Sequence, residues 1–224
     1  ELIEFFKGNF IKIPARGMNL IKWLERQKFL AYANYESIEL EIHIELTASQ
    51  KRALKPVEAD YPTQLLEELA KKVKFNQKIA TKLLEVVKDH ESVLFFSPSV
   101  EHSKMIVTWL RSRGISAAHI DGNTNPKVRR AAIESFRKKE IQVLSNYEVL
   151  DTGFDAPEVD CVFMARPTTS HVVYHQIIGR GLRGPALGGT EFCKIIDVPF
   201  NIETHAEKRQ QMFSEYQRLW EVNE

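Results

Sequence analysis

Tyr174-His175-Gln176-Ile177-Ile178-Gly179-Arg180-Gly181-Leu182-Arg183-Gly184 is the stretch on which the reading of this chain turns. It sets two arginines three residues apart among three glycines. Three residues is about one helical turn, so on a helix or tight turn the two guanidiniums point the same way. Glycine removes side-chain bulk and lets a ligand or a second backbone come close. Arginine is always charged and donates through a planar fork, which suits a polyphosphate. By itself the run also fits two surface arginines on a glycine-rich loop, so the rest of the chain has to decide.

Working outward, helical and strand-like segments alternate. Leu65, Leu66, Leu69 and Val73, then Ile79, Leu83 and Val87, recur at helical spacing, with Asn76 the candidate cap of the second helix. Val93–Phe96, Ala117–Ile120, Ile141–Leu144, Cys161–Met164 and Cys193–Ile196 are short apolar runs that read as strands. A helix over 100–113 stops at Gly114, and Pro126 suits the first turn of the next, which buries Ala132, Ile133 and Phe136. Ser170 is placed to cap the helix carrying Gln176, and 203–220 reads as a terminal helix. Strands that are apolar throughout, separated by helices, predict an α/β fold with a mainly parallel sheet covered on both faces. Ligands of such sheets bind at the carboxyl ends of the strands, where the candidate residues are expected to fall.

Residues 1–50 have a different texture. Leu20, Ile21, Trp23, Leu24 and Phe29 predict a short amphipathic helix, and residues 38–46 alternate strictly, as a half-buried strand does. The expected organisation is a connector and the end of a preceding lobe over 1–50, an α/β domain over 51–200 and a helix over 201–224. The first residue is Glu1, which fits an excerpt from a longer protein.

Composition narrows the class. The 224 residues are 43% hydrophobic and 27% charged, as in an ordinary globular protein. The net charge of +1 announces no overall basic field, so any nucleic-acid contact has to come from a local groove. Cys161 and Cys193 sit in apolar runs with neither zinc nor disulfide spacing, which fits a reducing, cytoplasmic setting. The longest apolar runs are too short to span a membrane.

Four elements, in order, resemble the second lobe of superfamily 2 DEAD/DEAH-like helicases. The group in question is related to excision-repair helicases and restriction-enzyme motor subunits. The Gln-x-x-Gly-Arg-x-x-Arg run resembles motif VI, Val93–Ser97 motif IV, His119–Thr124 the loop between a strand and a helix, and Val143–Pro157 motif V. The resemblance implies a RecA-like three-layer sandwich and an ATP-dependent helicase or translocase acting on DNA or, second, RNA. It assigns Arg180 and Arg183 to the γ-phosphate, with Gln176 orienting a water or phosphate and Gly179 beside them. Gly153 and Asp155 fall on the nucleotide side. Ser97, Asn123, Asn146 and Thr152 become candidates for the nucleic-acid backbone. The sequence departs from the family where Tyr147-Glu148 stands for a Thr-Asp pair, which leaves Asn146 or Thr152 to supply that phosphate contact.

The chain has no Gly-x-x-x-x-Gly-Lys-Ser/Thr run and no Asp-Glu box, so ATP and Mg²⁺ are expected to be held mainly by the first lobe of the same protein, and no metal site is assigned here. These 224 residues alone are therefore expected not to hydrolyse ATP. His102, His119, His171, His175 and His205 lack metal-ligand spacing, and Trp23, Trp109 and Trp220 read as packing residues. Arg129-Arg130 and Arg137-Lys138-Lys139 read as a solvated helix face. Two alternatives remain at this level. One is the motor subunit of a restriction system, and the other is a non-catalytic nucleic-acid-binding scaffold with a degenerate motor fold.

Overall fold

A computed structural model describes residues 20–38, 60–149 and 158–198 of the chain. The strand expected over 38–46 and the helix expected over 203–220 lie, apart from Ile38, outside the described residues.

Among the described residues, six strands form one sheet in the order β1-β6-β5-β2-β4-β3, and every pair is parallel. They are β1 (Tyr32–Ser37), β2 (Val93–Phe96), β3 (Ala117–Ile120), β4 (Val143–Asn146), β5 (Cys161–Met164) and β6 (Phe192–Asp197). The helices are α1 (Leu20–Arg26), α2 (Thr63–Ala70), α3 (Val73–Asp89), α4 (Val100–Arg111), α5 (Pro126–Arg137) and α6 (His171–Ile178). Alternate residues of each strand feed two separate cores. Val93, Phe95, Val143, Cys161 and Phe163 pack under α2, α3 and α4 through Leu65, Phe75, Leu83 and Ile106. Leu94, Phe96, Leu144, Val162 and Met164 pack on the other face against Phe136 of α5 and Tyr174, Ile177 and Ile178 of α6. The three-layer sandwich follows from this division, because each apolar face of the sheet needs a helical layer to leave water.

Local chemistry sets the element ends. Ser99 caps α4, its Oγ accepting from the His102 N–H at 3.1 Å, and Asn125 caps α5 ahead of Pro126. Ser170 caps α6, accepting from Val173 N–H. Gly114 has φ of +78°, a conformation that L side chains resist, and it follows the end of α4. Asn76 does not cap α3, as expected, because α3 starts earlier, at Val73. Its Nδ2 instead donates to the Ala70 carbonyl at the end of α2, at 2.9 Å.

The edge strand β1 is the main surprise. It lies inside the 1–50 stretch expected to be connector, yet it pairs with β6 from Tyr32↔Phe192 to Ser37↔Asp197. Tyr-Ala-Asn-Tyr-Glu-Ser shows no apolar alternation, because an edge strand is covered on fewer sides. Glu36 is held there by Lys194 at 2.7 Å and by Lys82 of α3.

Candidate functional site

The sheet presents two ends, and the sequence candidates divide between them. The motif VI run lies at the amino end, contrary to the expectation that all candidates would gather at the carboxyl ends. The reason is length. α6 follows β5 and returns antiparallel to it, and eight helical residues span about 12 Å, close to the roughly 13 Å of a four-residue strand. The chain therefore leaves α6 where β5 began.

Arg180 and Arg183 are not on one helical turn. α6 ends at Ile178, Arg180 stands in the turn after it, and Arg183 forms an antiparallel bridge with Leu30. Backbone hydrogen bonds stitch this run to the segment before β1. Ala31 N–H donates to Leu182 at 3.1 Å, Gly184 N–H to Phe29 at 3.0 Å and Ala186 N–H to Lys28 at 2.9 Å. The glycines serve this approach. A Cβ at Gly184 would collide with the Lys28 carbonyl, and one at Gly181 would lie 2.5 Å from Cys193 Sγ and 2.6 Å from Val162 Cγ2. The close contact that the glycines permit is thus with the protein's own backbone and core. Arg180 and Arg183 stand half-buried and engaged on this braced loop, Gln176 and Gly179 are exposed, and Leu182 anchors the loop in the core.

At the carboxyl end the structure brings Ser97 and Asn146 together. Ser97 N–H donates to the Asn146 carbonyl at 3.0 Å, and Asn146 Nδ2 donates to the Phe95 carbonyl at 3.0 Å. Both side chains face inward, with exposures of 0% and 1%, so neither is offered to a passing phosphate as it stands. The Ser97 hydroxyl is 2.8 Å from His102 Nδ1. Burial among Phe75 and Phe95 pushes the His102 imidazole down to about 4, so it is neutral across the physiological range. Gly153, Asp155 and Thr152 lie outside the described residues.

Asn123 is exposed at the tip of a turn that satisfies itself. Asp121 Oδ1 accepts from Asn123 N–H at 3.0 Å and from the Thr124 hydroxyl at 2.8 Å, while Arg129 Nη2 donates to the Asp121 carbonyl at 2.8 Å. Burial raises the Asp121 carboxyl, but hydrogen bonds from His119 and Thr124 outweigh it and leave the group below its usual value. A buried relay begins there. The carboxylate can only accept, so His119 Nε2 donates to Asp121 Oδ2 at 3.1 Å and His119 Nδ1 accepts from Ser103 at 2.6 Å. Ser103 in turn accepts from Ser145 at 2.5 Å. Ser103 and Ser145 are 0% exposed, so this chain of groups ties α4, β3 and β4 together and meets no substrate.

Sequence reasoning missed a second, part-buried cluster. Arg166, just past β5, donates from Nη1 to Asp60 Oδ2 at 2.8 Å and sits 3.6 Å from Glu148. Asp60 Oδ1 also accepts from the Thr168 hydroxyl and Thr169 N–H. One carboxylate thus joins the chain entering α2 to the loop entering α6, with the loop after β4 held through Arg166. Arg166-Pro167-Thr168-Thr169 directly after an apolar strand is the signal that could have drawn attention. Nothing in the sequence would have paired it with Asp60, 106 residues away.

Among the described residues no helix is long and apolar enough to cross a membrane, and no group of three or more His, Cys, Asp or Glu side chains is placed to hold a metal ion.

With this geometry in place, comparison with known proteins is direct. Residues 76–184 match the helicase conserved C-terminal domain. Irc3 of Schizosaccharomyces pombe, assigned as a mitochondrial ATP-dependent helicase, is 39% identical over 114 residues, which cover 51% of this chain and 18% of that one. IRC3 of Saccharomyces cerevisiae is 27% identical over 172 residues, covering 76% of this chain and 24% of the relative. The chain therefore spans only about a fifth to a quarter of the length of these relatives. Among solved structures, the E. coli DEAD-box protein SrmB bound to RraA superposes with a TM-score of 0.51 at 20% identity, over 64% of this chain and 80% of that one. The DUF1998 helicase MrfA bound to DNA and AMPPNP gives 0.53 at 19% identity, over 62% and 20%. These two establish the fold. The parallel six-stranded sandwich and the match over residues 76–184 together identify the chain as carrying the second, RecA-like lobe of a superfamily 2 helicase.

Proposed function

We infer that this lobe serves an ATP-dependent motor that moves on a DNA or RNA strand, and that Arg180 and Arg183 are its contribution to ATP hydrolysis. The observation that carries this reading is the bracing of the motif VI run. Two arginines stand on a loop fixed on both sides by backbone hydrogen bonds and close glycine contacts, so the loop is preorganised for a phosphate that another lobe presents. The residues fit ATP as a substrate shared between two lobes. This chain supplies cationic donors, but it has neither a phosphate-cradling glycine loop ahead of a Lys-Ser/Thr pair nor a carboxylate box for Mg²⁺. Gln176, exposed one turn before Gly179, is on hand to orient a water or a phosphate oxygen.

In this reading ATP bridges the lobes because the arginines gain the γ-phosphate only in the closed state, and hydrolysis removes that bridge. Gly153 and Asp155 complete the nucleotide side, while the segments that carry Ser97, Asn123, Asn146 and Thr152 ride with the lobe, and their backbone and neighbouring groups are the track for the nucleic acid. The names of the relatives support the motor reading. MrfA was solved with DNA, and relatives such as rrp-3 of Neurospora crassa are assigned as rRNA helicases, so both polymers belong in the assay. Two buried thiols, both pushed well above the usual cysteine range by burial, fit a reducing cytoplasmic setting. The test is ATP turnover by the intact protein with and without single- and double-stranded DNA and RNA. Strand-stimulated turnover is expected, with none from the 224 residues alone. Turnover by the isolated chain, or none by the intact protein, overturns the reading.

A further inference from the structure

The ion cluster at the carboxyl end of the sheet does not hold its members equally. Asp60 is fixed, because its carboxylate accepts from Arg166 Nη1 at 2.8 Å, from the Thr168 hydroxyl at 2.9 Å and from Thr169 N–H at 3.1 Å. The Thr168 hydroxyl oxygen accepts in turn from the N–H of Ser170, the cap of α6, at 3.1 Å. A continuous line of hydrogen bonds therefore runs from the Arg166 guanidinium to the start of α6. That helix carries Gln176 and delivers the chain to Arg180 and Arg183.

Glu148 stands on the other side of Arg166 and is held loosely. Its carboxylate is 3.6 Å from Nη2, beyond hydrogen-bond reach, and its side chain is 50% exposed where that of Arg166 is 12% exposed. Its backbone has φ of +50°, in the left-handed region that a residue with a Cβ enters at a cost. Strain of this kind gathers at switch segments, where movement of the segment releases it.

Tyr147 supplies a second resting place. Burial pushes its hydroxyl above the usual phenol range, and the charge and hydrogen bond of Glu148 add to the shift. The phenol thus keeps its proton and donates to Glu148, while Thr63, the first residue of α2, bonds to the same hydroxyl. The Glu148 carboxylate can rest on Tyr147 alone or on Tyr147 and Arg166 together, which gives the loop after β4 two arrangements. That loop continues from Asn146 and belongs to the Val143–Pro157 run, read above as facing both the strand and the nucleotide.

We propose that Glu148 is a positioning residue. By engaging or leaving Arg166 it passes the presence of a strand at the loop after β4 to the start of α6, and so to the motif VI arginines. It touches neither ATP nor the strand. The inference rests on the motor reading above and names the link between its two ligands.

The experiment measures ATP turnover of the intact protein with and without saturating oligo(dT) or oligo(U), together with strand Kd and the thermal transition. Glu148→Gln keeps the size of the side chain and removes its charge. In it the ratio of stimulated to unstimulated turnover is expected to fall roughly tenfold, an ordinary size for coupling between two sites. Unstimulated turnover, strand Kd and the thermal transition should stay. Glu148→Asn also lacks the carboxylate but suits the left-handed backbone, so it should lose the same stimulation. Stimulation that survives in either variant overturns the inference and leaves the motor reading standing. A weakened strand Kd makes Glu148 a strand contact, and an equal loss of both turnovers or an earlier thermal transition makes it part of the site or the fold. Each of these results overturns the inference as well. A native protein that no strand stimulates overturns both readings.

Discussion

The two ends of the sheet are built in opposite ways. At the amino end, backbone meets backbone: the Gly179–Gly184 run is stitched to residues 28–31 by main-chain hydrogen bonds, and glycines admit the contact. At the carboxyl end, side chains meet side chains: Ser97 with His102, Ser103 with His119 and Ser145, and Arg166 with Asp60. A backbone brace holds its loop through main-chain groups, so the place of the loop does not depend on the arginine side chains it carries. A side-chain network commits its members, and changing one strands its partner. The comparison teaches that a residue's motif status does not foretell what its loss will do. Its end of the sheet does.

The sharpest way to break that contrast is Arg183→Ala in the intact protein. Strand-stimulated ATP turnover should fall by roughly 10³–10⁵ with little change in the unfolding transition. A variant that unfolds early and keeps its turnover per folded molecule would reverse the assignment of this end. Asp60→Ala should do the opposite. Removing Asp60 takes from the part-buried Arg166 its nearer carboxylate and leaves it only Glu148 at 3.6 Å, and should cost about 3 kcal/mol in urea unfolding. Combining it with Arg166→Met should recover part of that loss, and simple additivity would show that the pair is not coupled.

Acid sharpens the same contrast. The His102 pKa is depressed from 6.5 to about 4 in the folded state, so the unfolded chain takes up the proton first as pH falls. Its contribution is complete above pH 6.5 and is lost as the pH drops from 6.5 towards 4. The loss should be about 3 kcal/mol in unfolding free energy, and His102→Gln should flatten that part of the profile. The smallest expected effect is at the amino end. Gly184→Ala drives a Cβ into the Lys28 carbonyl and should cost about 2 kcal/mol, read as a lowered thermal midpoint. A neutral result would mean that the brace yields without strain.

Much of this was legible in the residues. The apolar runs placed β2 to β6 to within a residue or two, and turn chemistry named Ser170, Pro126 and Gly114 correctly. β1 was hidden because Tyr32–Ser37 owes its place to the exposed edge of β6, which no local pattern encodes. Asn76 was read from its local spacing, while the Ala70 carbonyl across the turn decides its role. Arg180 and Arg183 were recognised as a pair, yet their loop conformation comes from residues 28–31, some 150 positions earlier.

The sequence by itself determined the alternation of helix and strand, the parallel sheet and the family, because periodicity, turn residues and motif order are properties of neighbours along the chain. Only the tertiary structure decided that the motif VI arginines and the Ser97–Asn146 pair stand at opposite ends of the sheet. It also decided that Ser97 turns inward and that Asp60 holds Arg166. Those outcomes depend on how far a helix of given length carries the chain back across the sheet, and on which distant groups then compete for each buried hydrogen bond.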